Sequence, residues 1–219
     1  MTPRAGVVPI VAGLAGPAVV AGSALATAIA YRGTAGEPYS PLNHWISELG
    51  EEGVSGLAPV FNAGVVVGGM CFAAFTSSLA AVRGGRLARA YGPIGAAAGL
   101  AGALVGVFPM NRIVPHAIVS TTFFNLAVLS VALASLDFAS RPDGRFGPVQ
   151  AAIGGATAAS YAAFAVVALS ALRELGIAAL QAPVVRLDAM ALMTLEWATL
   201  LGIVAWVLAT AVAWTGSAR

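Results

Sequence analysis

The sequence predicts an all-α, polytopic transmembrane bundle of six helices, and two observations carry this prediction. Only 9% of the residues are charged whereas 59% are hydrophobic, and the charges fall in short breaks between long apolar runs. A soluble protein carries about 25% charged residues, whereas a helix that crosses a bilayer needs ~20 consecutive apolar residues. We therefore expect a single transmembrane domain over residues 1–219, in a multi-pass protein of the cell membrane.

Six apolar runs are long enough to span the membrane. They lie at residues 7–30, 57–82, 91–109, 115–136, 148–172 and 189–214. The first follows Arg4 and is about twice as long as the 7–15-residue core of a signal peptide, so we expect a retained helix. Glycines recur at a spacing of four, as in Gly64 with Gly68 and Gly95 with Gly99. This spacing favours close helix packing within the bundle, with a dimer interface as the alternative.

The distribution of charge predicts the orientation. If the N-terminus is cytoplasmic, seven arginines fall in inside segments and four in outside segments, which agrees with the positive-inside rule. Seven of the nine acidic residues then lie outside or at outer helix ends. We therefore expect both termini to be cytoplasmic. The stretch RGGRLAR at residues 83–89 would be an inside loop that rests on anionic headgroups.

The first outer loop, residues 31–56, is the longest of the breaks. Ser40 or Asn43 could cap a short helix that runs through Leu49 and ends at Gly50, because these residue types are common at helix ends. Trp45 would lie at headgroup depth. The loop therefore predicts a short helix at the membrane interface.

Glu196 is the strongest single candidate for function, because it lies two turns into the last span. An ionisable side chain within a span costs about 2.5–3.5 kcal/mol, so it should face the bundle interior and have a partner. The candidate partners are His116, Arg112 and Arg186. Glu196 could act as a proton donor, ligand anchor or transport residue, or it could form a buried ion pair that fixes helix register.

Further candidates lie at the outer ends of the helices. Glu48 is a second candidate acid, and His44 and His116 are candidate proton relays or simple polar caps of helix ends. The candidate substrate-binding residues are the polar and aromatic side chains of the same region: Asn43, Trp45, Ser47, Asn62, Asn111, Arg112, Phe123, Arg186, Asp188 and Trp197.

Composition argues against several function classes. Two histidines and the single Cys71 cannot supply the ligands of a tightly bound zinc, and no nucleotide-binding fingerprint occurs, so we expect no metal ion and no cofactor. Nucleic-acid binding has no support, because there is no lysine and no basic domain. A cavity rimmed by polar groups above apolar walls suits a membrane lipid or an isoprenoid-like molecule.

Three stretches carry a resemblance to a known family. They are YSPLNHWISELG at 39–50, FNAGVVVGG at 61–69 and GVFPMNRIVPH at 106–116, and they resemble the bacterial domain-of-unknown-function 998 family. That resemblance implies a six-helix membrane fold. It also points to four motif positions: Ser47, Glu48, Asn62 and His116. The region from Gln181 to Arg186 departs from the more compact glutamine–arginine pairing of the family.

A looser similarity is to the small integral-membrane terpene cyclases of actinobacteria, which have comparable length, helix count and composition. It implies cyclisation that begins when a carboxylic acid, here Glu48 or Glu196, protonates the substrate. Aromatic faces can stabilise the carbocations that follow. We therefore expect an intramembrane enzyme that acts on a lipid-like or isoprenoid substrate by metal-free acid–base chemistry. The rivals are a non-catalytic lipid-binding or transport protein and a structural membrane subunit.

Overall fold

The computed structural model describes residues 4–175 and 186–216, and this part of the chain contains six helices long and apolar enough to cross a membrane. The helices are α1 (Arg4–Ala30), α2 (Ala58–Arg83), α3 (Gly85–Val107), α4 (Ile113–Ser140), α5 (Pro148–Leu175) and α6 (Ala191–Thr215). A 3-10 helix, Ile46–Gly50, lies in the first loop, residues 31–57. The predicted all-helical, multi-pass architecture is confirmed. Gln181 and the C-terminal Arg219 lie outside the described residues.

The helices form an up-and-down ring in which each packs against the next and α6 packs against α1. The first loop meets the α3–α4 connection where Glu52 bonds Asn111, and it meets the α5–α6 connection where Asn43 bonds Leu187. We call this end of the bundle the first-loop end. The opposite end is where α1 begins and α6 ends.

The connection between α2 and α3 is shorter than the sequence predicted. Helix α2 ends at Arg83 and α3 already begins at Gly85, so Gly84 alone joins them. Gly84 and Gly85 have φ angles of 61° and 88°, a region that glycine enters without steric cost. The predicted basic loop at residues 83–89 is therefore wrong, and α3 begins six residues before the third apolar run, which starts at residue 91. Most of the stretch belongs to the first turns of α3.

An ion-pair network that the sequence analysis did not find fixes the opposite end. The Arg83 guanidinium donates to Asp137 at 2.9 Å and to Asp143 at 2.6 Å, and Arg141 also pairs with Asp137. The Arg83 guanidinium lies 5.4 Å from the centre of the Phe138 ring. Asp137 is fully buried, and a buried carboxylate needs such partners to offset its desolvation.

Several glycines of the spans, most clearly those of α2 and α3, pack against neighbouring helices of the same chain. A Cβ on Gly69 would strike the backbone of Gly99 and Ala103, and a Cβ on Gly99 would strike Gly69 and Ala73. Gly95 similarly lies against Thr76. Close packing of small residues within one bundle is therefore confirmed, and it is what lets α2 and α3 approach so closely.

The helix of the first loop is shorter than predicted. It begins after Trp45, whose N–H donates to the Glu48 carboxylate at 2.8 Å. Neither Ser40 nor Asn43 caps it: the Ser40 hydroxyl accepts from the N–H of Leu42 at 3.3 Å, and the Asn43 side chain bonds elsewhere. The predicted end at Gly50 is correct.

Candidate intramembrane site

A cavity lies inside the bundle beneath the first loop. Helices α1, α2, α3, α4 and α6 line it together with the 3-10 helix. Of the 22 described residues that line it, only Ser47, His116, Ser120 and Glu196 have polar side chains. Within the cavity, the centre of a water-sized atom can occupy a volume of about 110 Å³.

The cavity is long and changes from polar to apolar along its length. On α6 the lining runs from Glu196 to Val207, and on α2 it runs from Phe61 to Phe72. Each run advances eleven residues, which is about 16 Å at the 1.5 Å rise of an α-helix. The four polar side chains lie towards the first-loop end, whereas the deep part is apolar.

Glu196 lines the polar end of the cavity, and its partner is a backbone group. Its Oε2 atom accepts a hydrogen bond from the N–H of Ile46 at 2.9 Å. The predicted pairing with His116, Arg112 or Arg186 is wrong, because no ion pair joins Glu196 to any of them within the described residues. The Oε1 atom has no hydrogen-bond partner in this part of the chain and is available to a ligand.

His116 lies in the first turn of α4 and also lines the polar end. Its Nδ1 atom is 2.8 Å from the carbonyl oxygen of Phe108. A carbonyl can only accept, so Nδ1 carries the hydrogen and Nε2 is the acceptor of the neutral ring. Nε2 makes no hydrogen bond to another described residue. The polar end therefore presents a carboxylate oxygen and an imidazole nitrogen, neither of which bonds to another residue that the structure describes.

The remaining polar and aromatic wall residues surround these two groups. The Ser47 hydroxyl lies 3.6 Å from the sulfur of Met110. The Ser120 hydroxyl donates to a carbonyl of its own helix at 3.3 Å. Phe123 lines the cavity as predicted and packs edge-to-face on Phe124, with ring centres 5.1 Å apart.

Glu48 lies outside the cavity and is fully engaged in structural contacts. Its carboxylate accepts from Tyr31 at 3.2 Å, from the Trp45 N–H at 2.8 Å and from both terminal nitrogens of Arg186, at 2.5 and 3.3 Å. Burial and the neighbouring carboxylate raise the pKa of Tyr31. The two candidate acids thus have different surroundings: Glu48 bonds to groups that hold the first loop in place, whereas Glu196 faces the cavity.

His44 belongs to the same structural cluster. It is 1% exposed, and its Nδ1 atom lies 2.7 Å from the side-chain oxygen of Asn43. Its Nε2 atom has no hydrogen bond and lies 3.9 Å from Glu37. Burial, followed by the charge of Arg186, lowers the pKa of His44.

Arg186 and two predicted asparagines hold the first loop to the rest of the bundle. Besides Glu48, Arg186 donates to the carbonyl of Asn43 at 2.8 Å. Asn62 donates to the carbonyl of Gly50 at 3.0 Å. The side chain of Asn111 makes two hydrogen bonds to the backbone of Glu52, at 2.7 and 2.9 Å. These residues shape the loop and do not line the cavity.

Four further predicted residues also lie away from the cavity lining: Trp45, Arg112, Asp188 and Trp197. Trp197 donates to the Tyr39 hydroxyl at 2.8 Å, and that hydroxyl donates to the carbonyl of Trp45 at 3.1 Å. Arg112 and Asp188 are exposed. The structure therefore brings Glu196, His116, Ser47 and Phe123 to the cavity and assigns the other candidates to the surrounding loop framework.

Comparison with known proteins identifies the family. A family model described as "Protein of unknown function (DUF998)" matches residues 19–215. The chain belongs to this family. No curated protein and no solved structure matches the chain, and the similarity to terpene cyclases is not shown by these comparisons.

In this DUF998 chain, the α6 side of the apolar cavity wall was missed by sequence reasoning although a signal for it exists. Glu196 is followed on its helix face by Leu200, Ile203 and Val207, at spacings of four, three and four. Such spacing marks one face of a helix. The face that begins at an intramembrane carboxylate therefore predicts the cavity wall below it.

Proposed function

We propose that the chain is a membrane enzyme that acts on a lipid-like or isoprenoid molecule by acid–base chemistry. The observation that supports this is the presence of Glu196 Oε1 and His116 Nε2, both without a partner among residues 4–175 and 186–216, at the polar end of an otherwise apolar cavity. An acid and a base that face one water-poor pocket are the groups that proton transfer to and from a substrate requires.

The narrower form of the proposal is an isomerisation, including protonation-initiated cyclisation. Glu196 in its acid form donates a proton to a carbon–carbon double bond, whose electron pair forms the new C–H bond and leaves a carbocation. A second double bond can attack this cation and close a ring. His116 Nε2 then accepts a proton from a neighbouring carbon, and the C–H pair forms the final double bond. The product is an isomer of the substrate, and return of the proton from His116 to Glu196 restores the site.

The wall beside these groups is compatible with a cationic intermediate. Phe61, Phe123 and Phe124 line the cavity, and a ring face attracts a cation within about 6 Å by its quadrupole. No co-reactant is required, because the proton that enters the substrate is balanced by the proton that leaves it.

In this proposal the polar end of the cavity faces the external leaflet and both termini are cytoplasmic. The arginine count supports this orientation, and Arg86, Arg89 and Arg145 are exposed near the end that would be inside. Basic residues near span ends favour the cytoplasmic side.

The test supplies polyprenyl substrates to the protein in liposomes and measures isomeric products by mass spectrometry. We expect Glu196→Gln and His116→Gln each to lower turnover by about 100-fold or more, whereas Glu52→Gln, a change in an exposed carboxylate at the same end, leaves it unchanged. Turnover that survives both cavity substitutions would contradict the proposal. A wild-type protein that retains lipid without converting it would instead indicate binding or transport.

A further inference from the structure

We infer that the cavity takes a single hydrocarbon chain of limited length, with its polar head at Glu196 and His116 and its tail pointing towards Phe75 and Trp206. The inference deepens the proposed function, on which it rests in taking the cavity as the substrate site. It adds the class of molecule, a single-chain amphiphile, and names the residues that limit chain length.

The direction of the bound molecule follows from the lining. Polar side chains occur only near the first-loop end among the described lining residues, and the deepest lining residues are Ala12, Phe72 and Val207. A polar head buried among these three would lose its hydrogen bonds without replacement. The head must therefore lie beside Glu196 and His116, and the tail must run inwards.

The width of the cavity admits one chain. Atom centres can occupy a volume of about 110 Å³ in the cavity. Over a length of about 16 Å, this volume corresponds to a mean cross-section of about 7 Å², which is roughly 3 Å wide. Carbon atoms of two chains in contact lie about 3.5–4.0 Å apart. Two chains side by side do not fit, so a two-chain phospholipid cannot insert both of its tails.

A pair of buried aromatic rings lies behind the deepest lining residues and does not itself line the cavity. Phe75 and Trp206 are 0% and 1% exposed, and they belong to the same buried cluster as Ala12, Phe72 and Val207. Their ring centres are 6.2 Å apart at an angle of 84°. The indole N–H of Trp206 donates to Ser135 at 3.0 Å, which fixes the position of its ring. In this inference the pair is the floor that a longer chain would meet.

The distance from the polar end to the floor sets the chain length. With C–C bonds of about 1.5 Å in an extended zigzag, a length of about 16 Å holds roughly a dozen carbons. A longer chain has to bend or leave part of itself outside.

The experiment offers an equimolar series of saturated primary alcohols, from short to long, to the full protein in detergent micelles and identifies the bound alcohols by native mass spectrometry. A hydroxyl is a suitable head because it can donate to His116 Nε2. Micelle and cavity are both apolar, so selection reports fit to the cavity and not transfer from water. We expect bound alcohols to peak at roughly a dozen carbons.

Two substitutions move the floor in opposite directions. Ala12→Leu fills the deep end and should shift the peak to shorter alcohols, whereas Phe75→Leu opens the floor and should shift it to longer ones. Ala21→Leu is the matched control, because Ala21 is exposed on the same helix and does not line the cavity. It should leave the peak unchanged.

The outcomes separate this inference from the proposed function. An absent peak in the wild type, or the same peak in every folded variant, overturns the inference even if Glu196→Gln abolishes turnover. If only one floor variant folds, its peak decides the matter. Conversely, normal length selection with undiminished turnover in both Glu196→Gln and His116→Gln overturns the proposed acid–base mechanism and leaves the length inference standing.

Discussion

The Glu196 carboxylate on α6 accepts a hydrogen bond from the backbone N–H of Ile46 at 2.9 Å, so a residue of the cavity also holds the 3-10 helix of the first loop. Two residues further along the loop, Glu48 pairs with Arg186. The short helix is thus held from both sides, and Ile46 and Ser47 form the roof of the cavity.

The bond to Ile46 makes a prediction about stability. Glu196→Gln keeps a side-chain oxygen that can accept from the Ile46 N–H, whereas Glu196→Leu leaves that N–H without an acceptor. A buried unsatisfied donor costs about 1–3 kcal/mol, so the leucine variant should be less stable than the glutamine variant by that amount. Unfolding in a common detergent measures the difference. Equal stabilities would show that the bond contributes nothing.

The Glu48–Arg186 pair should be strongly coupled. Glu48 is 4% exposed, so Arg186→Met strands a buried carboxylate, a change that costs about 3–5 kcal/mol. Glu48→Gln together with Arg186→Met should cost less than the sum of the two single changes, by more than about 0.5 kcal/mol. A double-mutant cycle of unfolding free energies checks this, and additive effects would rule out the coupling.

At the opposite end, two neighbouring aspartates should respond differently. Asp137→Asn leaves Arg83 and Arg141 without their buried counter-charge, and a loss of about 3–5 kcal/mol is expected. Asp143→Asn is the control: the side chain is 43% exposed, and an exposed pair contributes about 0–1 kcal/mol. Thermal unfolding compares the two variants. Similar losses would indicate that burial does not govern this network.

Stability should decline as the pH falls below 6.5, the ordinary pKa of histidine. Burial and the Arg186 charge lower the pKa of His44, although Glu48 and Glu37 act in the opposite direction. Between the lowered value and 6.5, the unfolded chain binds a proton that the folded chain does not, so the His44 contribution is complete above 6.5 and is lost below it.

Unfolding across neutral and mildly acidic pH should therefore show a shallower slope for His44→Gln than for the wild type. His116 is present in both proteins, so its titration cancels in the comparison. Glu37, whose pKa is lowered by its own backbone amide, loses its contribution only near and below the ordinary value of 4.5. Identical slopes for the two proteins would contradict the assignment to His44.

Hydropathy predicted the six helices because a bilayer imposes length and apolarity on each span. It misplaced the start of α3, because the positive φ angles of Gly84 and Gly85 let the chain reverse within one residue. Hydropathy carries no information about such a turn. Gly50 was correctly predicted as a helix end. The helix that it ends is a 3-10 helix of five residues, however, and it begins directly after Trp45.

The candidate site was predicted in part. Glu196 was found because an ionisable residue in a span must face the interior, and His116 was found because it lies at the outer end of a helix. The partner of Glu196 was missed because a backbone N–H, which every residue but proline carries, leaves no trace in the sequence. The pairing of Glu48 with Arg186 spans 138 positions, and charge alone could not distinguish it from a pairing of Arg186 with Glu196.

The contact between Gly69 and Gly99 has a consequence for biogenesis. Their helices touch through the main chain and are joined by Gly84 alone, so we expect α2 and α3 to enter the bilayer as one hairpin during synthesis. A larger side chain at either glycine would then impair insertion into the membrane and not catalysis. It would appear as a failure of insertion and a loss of protein from the cell, while the chemistry of the cavity itself was left untouched.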